Sequence, residues 1–245
     1  MKQRRRSSVD RFIVPHVLTS LEQRNNDRDE IVNKYKENLH DKWMDSRTLI
    51  PFETYVFLTF KSIDQFDSGL LTSEEFVANI LHHCTFKTPT FGGVLSDNGN
   101  SYHALEKCEG VKTSRLNRIQ CHHLFSAMDL KKNHSINIVD FITILADIDK
   151  DCFQEPYSRQ ILMDFGKTLL LGWNEDNNIP ELYSDYIQLV YNLINSNGNS
   201  DMNLSEFISG IMKHTTFSVT DCIVLCSIFE QDGVISKARF VYILD

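Results

Sequence analysis

Four segments of the chain share one arrangement of hydrophobic and polar positions. Each has an apolar stretch of helical period, then a polar stretch, and then a second apolar stretch that opens with phenylalanine. Apolar residues at i, i+3, i+4 and i+7 predict an amphipathic helix on both sides of each polar stretch. The segments span residues 52–82, 118–147, 183–213 and 219–244. The pattern therefore predicts an all-α protein with four helix–loop–helix units.

The polar stretch has one fixed length in the first three segments. It runs from Asp64 to Glu75, from Asp129 to Asp140 and from Asn195 to Glu206. Phenylalanine follows its last residue each time, and an aliphatic residue stands at its eighth position (Leu71, Ile136 and Met202). An ordinary helical bundle repeats apolar helices, but it has no reason to repeat this spacing.

These features resemble the EF-hand family. Its loop takes calcium ligands from positions 1, 3, 5, 7, 9 and 12 and has glycine at position 6. The resemblance implies that the first and second units pair through a short β-bridge at position 8 to form one lobe, and that the third and fourth units form another. No loop here matches the full ligand pattern of the family, so we expect eroded calcium sites.

The remaining stretches divide the chain further. We expect a basic tail, an N-terminal helical segment, a first pair of units interrupted by a long insertion at about 86–115, a connecting helix with its linker, and a second pair. The corresponding ranges are 1–16, 17–50, 51–148, 149–182 and 183–245.

The third loop offers an oxygen at every coordinating position of the resemblance. These positions are Asn195, Asn197, Asn199, Asp201 through its carbonyl, Asn203 and Glu206. Asparagine oxygens are neutral, so Glu206 is the main anion. Ser200 replaces the turn glycine, where a positive φ would strain a residue with a Cβ. We expect this loop to bind calcium weakly, with magnesium as the alternative ion.

The first loop is less complete. It offers Asp64, Ser68, the Leu70 carbonyl and Glu75, with Thr72 at position 9 and Gly69 at the turn. Phe66 at position 3 has no oxygen to give, although Asp67 adds charge beside it. A weak calcium or magnesium site and a simple turn both remain open for this loop.

The other two loops predict no metal. Lys131 at position 3 of the second loop repels a cation, and Asp140 at position 12 is shorter than glutamate. In the fourth loop, taking Gly233 as position 6 places Ile228 at position 1 and Arg239 at position 12. Neither coordinates a cation, so this unit is expected to serve only as a structural partner for the third.

Charge and composition narrow the function classes. The 245 residues hold 25 Lys and Arg against 33 Asp and Glu. Residues 51–245 carry 14 of the basic and 25 of the acidic residues, a net charge of −11. An acidic body disfavours nucleic-acid binding and suits a cation or a basic partner. No apolar run is long enough for a transmembrane helix, no export signal is evident, and the six cysteines are expected to be reduced, as in a cytoplasmic protein.

Two further hypotheses come from short motifs. One is an enzyme or zinc protein, which would need the histidines and cysteines around the insertion to converge in one pocket. These residues are His82, His83, Cys84, Cys108, Cys121, His122 and His123. The other is phosphorylation of Ser8, which follows Arg5 and Arg6 in the pattern preferred by basophilic kinases.

By its resemblance to calmodulin-like and calcineurin-B-like proteins, the chain would be a non-enzymatic regulatory or adaptor subunit. It would bind a basic amphipathic helix of a partner in an apolar groove, with weak or lost calcium binding. The alternative is a calcium sensor in which the third loop, alone or together with the first, binds calcium and switches partner affinity.

Overall fold

The computed structural model of the chain describes residues 10–83, 85–88, 112–175, 180, 182–195 and 197–245. In this part the chain is mostly helical. The α-helices are α1 (Asp10–Ser46), α2 (Phe52–Ile63), α3 (Ser73–His83), α4 (Arg118–Met128), α5 (Ile138–Leu145), α6 (Tyr157–Glu175), α7 (Tyr183–Ile194), α8 (Leu204–His214), α9 (Val219–Phe229) and α10 (Lys237–Leu244). A short 3₁₀ helix, Lys150–Phe153, precedes α6. The predicted all-α class is confirmed at this level.

Small strands accompany the helices. They are β1 (Leu70–Thr72), β2 (Thr85–Thr88), β3 (Lys112–Arg115), β4 (Ser135–Asn137), β5 (Asp201–Asn203) and β6 (Val234–Ser236). Antiparallel pairs form between β1 and β4, β2 and β3, and β5 and β6. The pair β2–β3 joins the two ends of the segment that the sequence predicts to be an insertion.

The pairs β1–β4 and β5–β6 join consecutive helix–loop–helix segments at their loops. In the first, Leu71 is opposite Ile136, and in the second, Met202 is opposite Ile235. All four side chains are fully buried. An apolar residue is therefore required at the centre of each strand, which accounts for the aliphatic residue in the eighth position of the loops.

Side-chain caps fix where several helices begin. Asn117, Asn203 and Ser218 each accept a hydrogen bond from the backbone N–H three residues later, and the side chain of that later residue accepts one in return. Such a capping box satisfies two backbone donors that a helix start leaves unpaired. Asn203 therefore ends the third loop and starts α8 at a defined residue.

Two further helices lie against these segments in an equivalent way. In α6, Phe165 is fully buried, with edge-on ring contacts to Phe217, Phe229 and Phe240 at centroid distances of 5.8, 6.2 and 6.3 Å. In α1, Tyr35 occupies the same relative position and is also buried. α1 packs mainly on α4, as α6 packs on α9.

A tryptophan near the end of each of these helices donates a hydrogen bond to the chain segment that follows the helix. Trp43 Nε1 donates to the Ile50 carbonyl at 2.9 Å, and Trp173 Nε1 donates to the Pro180 carbonyl at 3.1 Å. In both cases the acceptor lies seven residues after the tryptophan. The chain thus contains one five-helix arrangement twice, as a first half (α1–α5) and a second half (α6–α10).

The two halves share one hydrophobic core. The buried apolar residues form a continuous cluster from Tyr35 in α1 to Phe240 in α10. Between the halves, α2 contacts α9 and α5 contacts α8. The structure therefore joins the halves by direct packing.

Some bounds differ from those the sequence predicts. α1 begins at Asp10, before the helical segment expected from residue 17, so the predicted basic tail is shorter. α6, at Tyr157–Glu175, lies within the stretch 149–182 that is expected to hold the connecting helix and its linker. Among the described helices, none has both the length and the apolar character that a membrane span requires.

The burial of Phe165 leads to a prediction for stability. Replacing Phe165 with alanine should lower the free energy of unfolding by about 3–5 kcal/mol, since it removes a buried ring and leaves a cavity. Urea denaturation measures the change. The matched control is Leu170→Ala on the exposed side of α6, which should change the free energy of unfolding by less than about 1 kcal/mol. Equal small effects for both variants would contradict the packing of α6 against the second half.

Candidate functional site

The first loop is closed by its own acidic residue. Asp64 directly follows α2 and is 4% exposed. Its Oδ1 accepts a hydrogen bond from Ser68 N at 3.0 Å, and its Oδ2 accepts one from Gly69 N at 2.7 Å. Gly69 has φ +75°, a conformation that glycine adopts without strain. The carboxylate therefore takes up backbone donors that would otherwise be unpaired in a buried turn.

The other predicted ligands of the first loop are also bonded among themselves. The Ser68 hydroxyl lies 3.2 Å from Asp64 Oδ1 and 2.8 Å from the Leu70 carbonyl. Glu75 Oε2 accepts from Thr72 N at 2.9 Å and from its hydroxyl at 2.7 Å. These oxygens come together in one loop, but each is already in a hydrogen bond.

The charge at the fourth position of this loop is neutralised. Asp67 forms an ion pair with Lys61 of α2. Phe66 is 79% exposed and adds no oxygen to the loop. An ion in the first loop would therefore find no ligand at position 3 and a neutralised charge at position 4. The weak ion site and the simple turn both stay open as predictions.

The second loop repeats the closure by an acid. Asp129 follows α4, and its two oxygens accept from Asn133 N at 3.2 Å and from His134 N at 2.9 Å. His134 takes the position of Gly69 with φ +63°, which is costly for a residue with a Cβ. Lys131 is exposed. Both oxygens of Asp129 accept backbone hydrogen bonds, and the lack of a metal in this loop stays a prediction.

In the fourth loop the structure corrects the register. α9 continues to Phe229, so the residue that follows the helix is Glu230 rather than Ile228. Glu230 Oε1 accepts from Gly233 N at 2.6 Å, which is the bond that Asp64 makes with Gly69 N in the first loop. The count back from Gly233 fails because this loop is shorter than the other three.

The end of the fourth loop holds a permanent cation. Arg239 Nη2 donates to the Ile228 carbonyl at 3.0 Å, from the end of the loop to the last turn of α9. Guanidinium stays protonated throughout the physiological pH range. A basic group thus links the two helices of this unit where an acidic residue ends each of the other three loops.

The third loop is arranged differently. Asn195 follows α7 and is 5% exposed, and its Nδ2 donates to the Asn199 carbonyl. Its Oδ1 is buried and has no hydrogen-bond partner in the described part of the chain. An unpaired buried acceptor costs free energy, so this oxygen is available to a ligand.

The acid that ends the third loop is also buried. Glu206 is 4% exposed, and its Oε1 accepts from Asn197 Nδ2. Its Oε2 accepts from Asn203 N at 3.0 Å, while Glu206 N donates to Asn203 Oδ1 at 2.9 Å. Asn197, Asn199 and Asp201 are exposed.

These residues fit a hard divalent cation, which takes oxygen ligands. The buried Asn195 Oδ1 and the Glu206 carboxylate would contribute most, and the remaining donors are neutral. One buried carboxylate offsets little of an ion's lost hydration, which favours weak binding. The third loop therefore remains, as a prediction, the best cation site of the four loops.

The expected strain at Ser200 is wrong. Positive φ occurs at Gly198, with φ +66°, and Ser200 is absent from the residues with positive φ in the described chain. The Tyr191 hydroxyl lies 3.2 Å from the Ser200 carbonyl and 2.7 Å from the Ile235 carbonyl. Burial, together with the nearby Asp201, raises the pKa of Tyr191 to about 12. Gly198 at position 4 of this loop matches Asp67 and Lys132, which also have positive φ. The positive φ that Gly69 and His134 adopt at position 6 is missing at Ser200.

The zinc hypothesis gains no support from the described residues. Cys121 is fully buried, whereas His122 and His123 are exposed on the same helix. No group of three His, Cys, Asp or Glu side chains placed to hold a metal occurs in the described ranges. Ser8, Cys84, Cys108 and the side chains of His82 and His83 lie outside the described part.

Sequence reasoning missed two residues of this region. Lys61 pairs with Asp67 of the first loop, and Glu230 closes the fourth loop. For Arg239, which the sequence places at the end of the fourth loop, it missed the bond to the Ile228 carbonyl. The apolar period of α9 signals its continuation through Ile228 and Phe229, which would have identified Glu230. No local signal marks Lys61, because its partners include a residue of the second half.

We compared the chain with known protein families, with curated proteins and with solved structures, and none of the three comparisons found a match.

The burial of Asp140 at the end of the second loop leads to a prediction about pH. Burial raises the pKa of this carboxyl, although Lys131 and a hydrogen bond from Asn137 oppose the effect. The folded state therefore holds the proton more tightly than the unfolded state does, and the associated stability is lost as pH rises through the raised pKa. Asp140→Asn has no such loss. Its free energy of unfolding, relative to the wild type, should increase between about pH 4 and about pH 7.

Urea denaturation at the two pH values measures this difference. Asp45→Asn, at an exposed position near the end of α1, is the control and should follow the wild type. A constant difference between Asp140→Asn and the wild type across this range would show that the carboxyl is not destabilised by burial.

Proposed function

We propose that the chain is a non-enzymatic adaptor or regulatory subunit of EF-hand type, with paired units that stay closed without an ion. The observation that carries the proposal is the closure of three loops by their own side chains. Asp64, Asp129 and Glu230 each accept a backbone N–H of the loop they open. A helix pair held in this way keeps one shape whether or not calcium is present.

The kinship with EF-hands rests on the arrangement of helices and strands. Each unit has a helix, a loop, a three-residue strand and a second helix, and the units pair through their strands. The pairing centres on the eighth position of the loop, as the resemblance implies. This arrangement supports the proposal of two lobes, each made of two hands.

The partner would bind elsewhere than in the interior of the second lobe. Phe165 of α6 already lies among the aromatic rings there, so this lobe has an internal helix where a partner helix was expected. Tyr35 of α1 is buried against the first lobe in the equivalent position. We therefore place partner binding on an outer face.

The best such face is the outer side of α7. Leu182, Leu189 and Leu193 are 63%, 52% and 60% exposed, and their spacing places them along one side of the helix. Tyr242 of α10, which packs beside α7, is 85% exposed. We call these four residues the α7 stripe. Asp185 lies on α7 and Asp245 follows α10, whereas α10 itself carries Lys237 and Arg239. The body of the chain has a net negative charge, so a basic amphipathic helix is the partner that we infer.

A synthetic helical peptide with leucine on one face and lysine on the other tests this function. We expect it to bind in excess EDTA and in calcium with affinities that agree within about threefold, since the face does not depend on an ion. Leu189→Asp with Leu193→Asp should weaken binding at least about tenfold, because two leucine contacts are lost. Fluorescence anisotropy of the labelled peptide measures both.

The matched control is Leu49→Asp, which changes a fully exposed leucine between α1 and α2. It should leave peptide affinity unchanged. Added negative charge alone favours a lysine-rich peptide, so equal loss in the control would show that the effect is not specific to the α7 stripe. A lack of binding to the wild type would contradict the proposed function.

A second candidate function is a calcium sensor that uses the third loop. The favouring observation is that Asn195 Oδ1 is buried with no hydrogen-bond partner in the described part of the chain, in a loop that ends at the buried Glu206. In this case calcium would change the partner affinity, and partner binding would change the calcium affinity by the same factor.

Isothermal calorimetry with calcium, in a background of physiological magnesium, examines the third loop. We expect saturable heat with a dissociation constant in the range of about 0.1–1 mM, and its loss in Glu206→Gln, which removes the only buried carboxylate of the loop. Heat that survives this substitution would assign the ion to the first loop, with Asp64 and Glu75. No heat in the wild type would leave the adaptor function without a calcium switch.

A further inference from the structure

A lysine in the first half of the chain contacts the third loop, which belongs to the second half. Lys61 lies near the end of α2, and its Nζ donates to the Ser205 hydroxyl at 3.1 Å as well as to Asp67 of the first loop. Ser205 is fully buried and directly precedes Glu206. One ammonium group thus connects the two loops that the sequence singles out as candidate ion sites.

A second bond joins the same loops. Asn203 Nδ2 donates to the Asp67 carbonyl at 3.0 Å. The loops also approach closely at Gly69, where a Cβ would lie only 3.2 Å from Asn203 Oδ1. The two contacts together tie positions 9 and 11 of the third loop to position 4 of the first loop.

This junction has no counterpart elsewhere in the duplicated arrangement. The residue of α7 that corresponds to Lys61 is Asn192, and the residue of α3 that corresponds to Ser205 is Glu74. Both are exposed. The contact is therefore a particular feature of the interface between the halves, and the cation is on one side only.

The electrostatic effect of Lys61 follows from its place. Its side chain is 28% exposed, so water screens its charge only in part. Asp67 neutralises the ammonium on the side of the first loop, but Ser205 offers only a neutral hydroxyl on the side of the third. A positive charge held here opposes a second cation in the third loop.

Asn203 adds a mechanical link. Its Oδ1 is bonded to Glu206 N, and its Nδ2 is bonded to the first loop. A cation that draws on the oxygen of position 9 must therefore alter a side chain that also binds the other half. By linkage, a constraint on Asn203 from the first half changes the cost of ion binding in the third loop.

We propose that Lys61 is a built-in regulator of the third loop, which ties this loop to the first and lowers its affinity for a divalent cation. The proposal rests on the second candidate function, because it requires the third loop to accept an ion. Anything that draws Lys61 away, such as an acidic group of a partner, raises that affinity.

Calcium titration by isothermal calorimetry tests the proposal on the full chain. Lys61→Met should bind calcium about three- to tenfold more tightly than the wild type, because it removes the opposing charge and keeps much of the side-chain length. Lys61→Arg keeps the charge and should remain within about twofold of the wild type. The gain in Lys61→Met should shrink as the salt concentration rises, a response that a purely structural role does not produce.

Lys36→Met is the matched control. Lys36 is also a partly buried lysine in an ion pair, with Asp147, but it lies in α1 and has no bond to the third loop. It should leave calcium affinity unchanged. Thermal melting of each variant checks that all are folded.

The outcomes separate the two proposals. Equal calcium affinity in wild type and Lys61→Met, with heat abolished by Glu206→Gln, overturns the role of Lys61 and leaves the third-loop site standing. Equal tightening in Lys61→Arg and Lys61→Met also overturns it, because the charge is then irrelevant. Binding by neither wild type nor Lys61→Met removes the calcium site itself, and the inference with it.

Discussion

The structure depends first on how each loop is closed. In three of the four loops, the residue that follows the first helix is an acid whose oxygen accepts a backbone N–H from the turn. This bond brings the loop into position for its strand, and the strand pairs bury Leu71 against Ile136 and Met202 against Ile235. Buried backbone donors have to be satisfied, and here the protein supplies the acceptor itself. The third loop is the exception, since Asn195 there uses its amide as a donor, and its oxygen has no partner among the residues that the structure describes.

The duplicated arrangement explains why the interior of each half is full. A preceding helix contributes an aromatic residue to the core, Tyr35 in α1 and Phe165 in α6, and a tryptophan bonds to a carbonyl in the segment that leads to the next helix. Phe165 accordingly fills the interior of the second half, where the proposed function would otherwise place a partner's helix. This constraint moves the expected partner surface to the exposed α7 stripe. It also makes the contact between the halves, where Lys61 reaches Ser205, the natural route for an effect of one half on the other.

Much of the fold follows from local sequence patterns, whereas much of the site does not. The apolar period predicts the helices, because an amphipathic helix buries one face. The strand pairs at the eighth position are expected only from the resemblance to EF-hands. Trp173 also carries a sequence signal. It follows Phe165 at the same distance as Trp43 follows Tyr35, so a comparison of the two halves of the sequence reveals the duplication. Lys61 is different. Its role arises from Ser205 and Asn203, which are far away in the chain, and only the packing of the halves brings them together. The third loop differs from the expectation because Ser200 does not adopt the positive φ that Gly69 and His134 have at the sixth position.

The most direct test of loop closure without an ion is amide hydrogen exchange by NMR in excess EDTA. The amides of Gly69, His134 and Gly233 donate to the acids that open their loops. We predict that all three are strongly protected in EDTA and change little when calcium is added. Exchange in EDTA at the rate of an unfolded chain, with protection appearing only after calcium is added, would contradict the account.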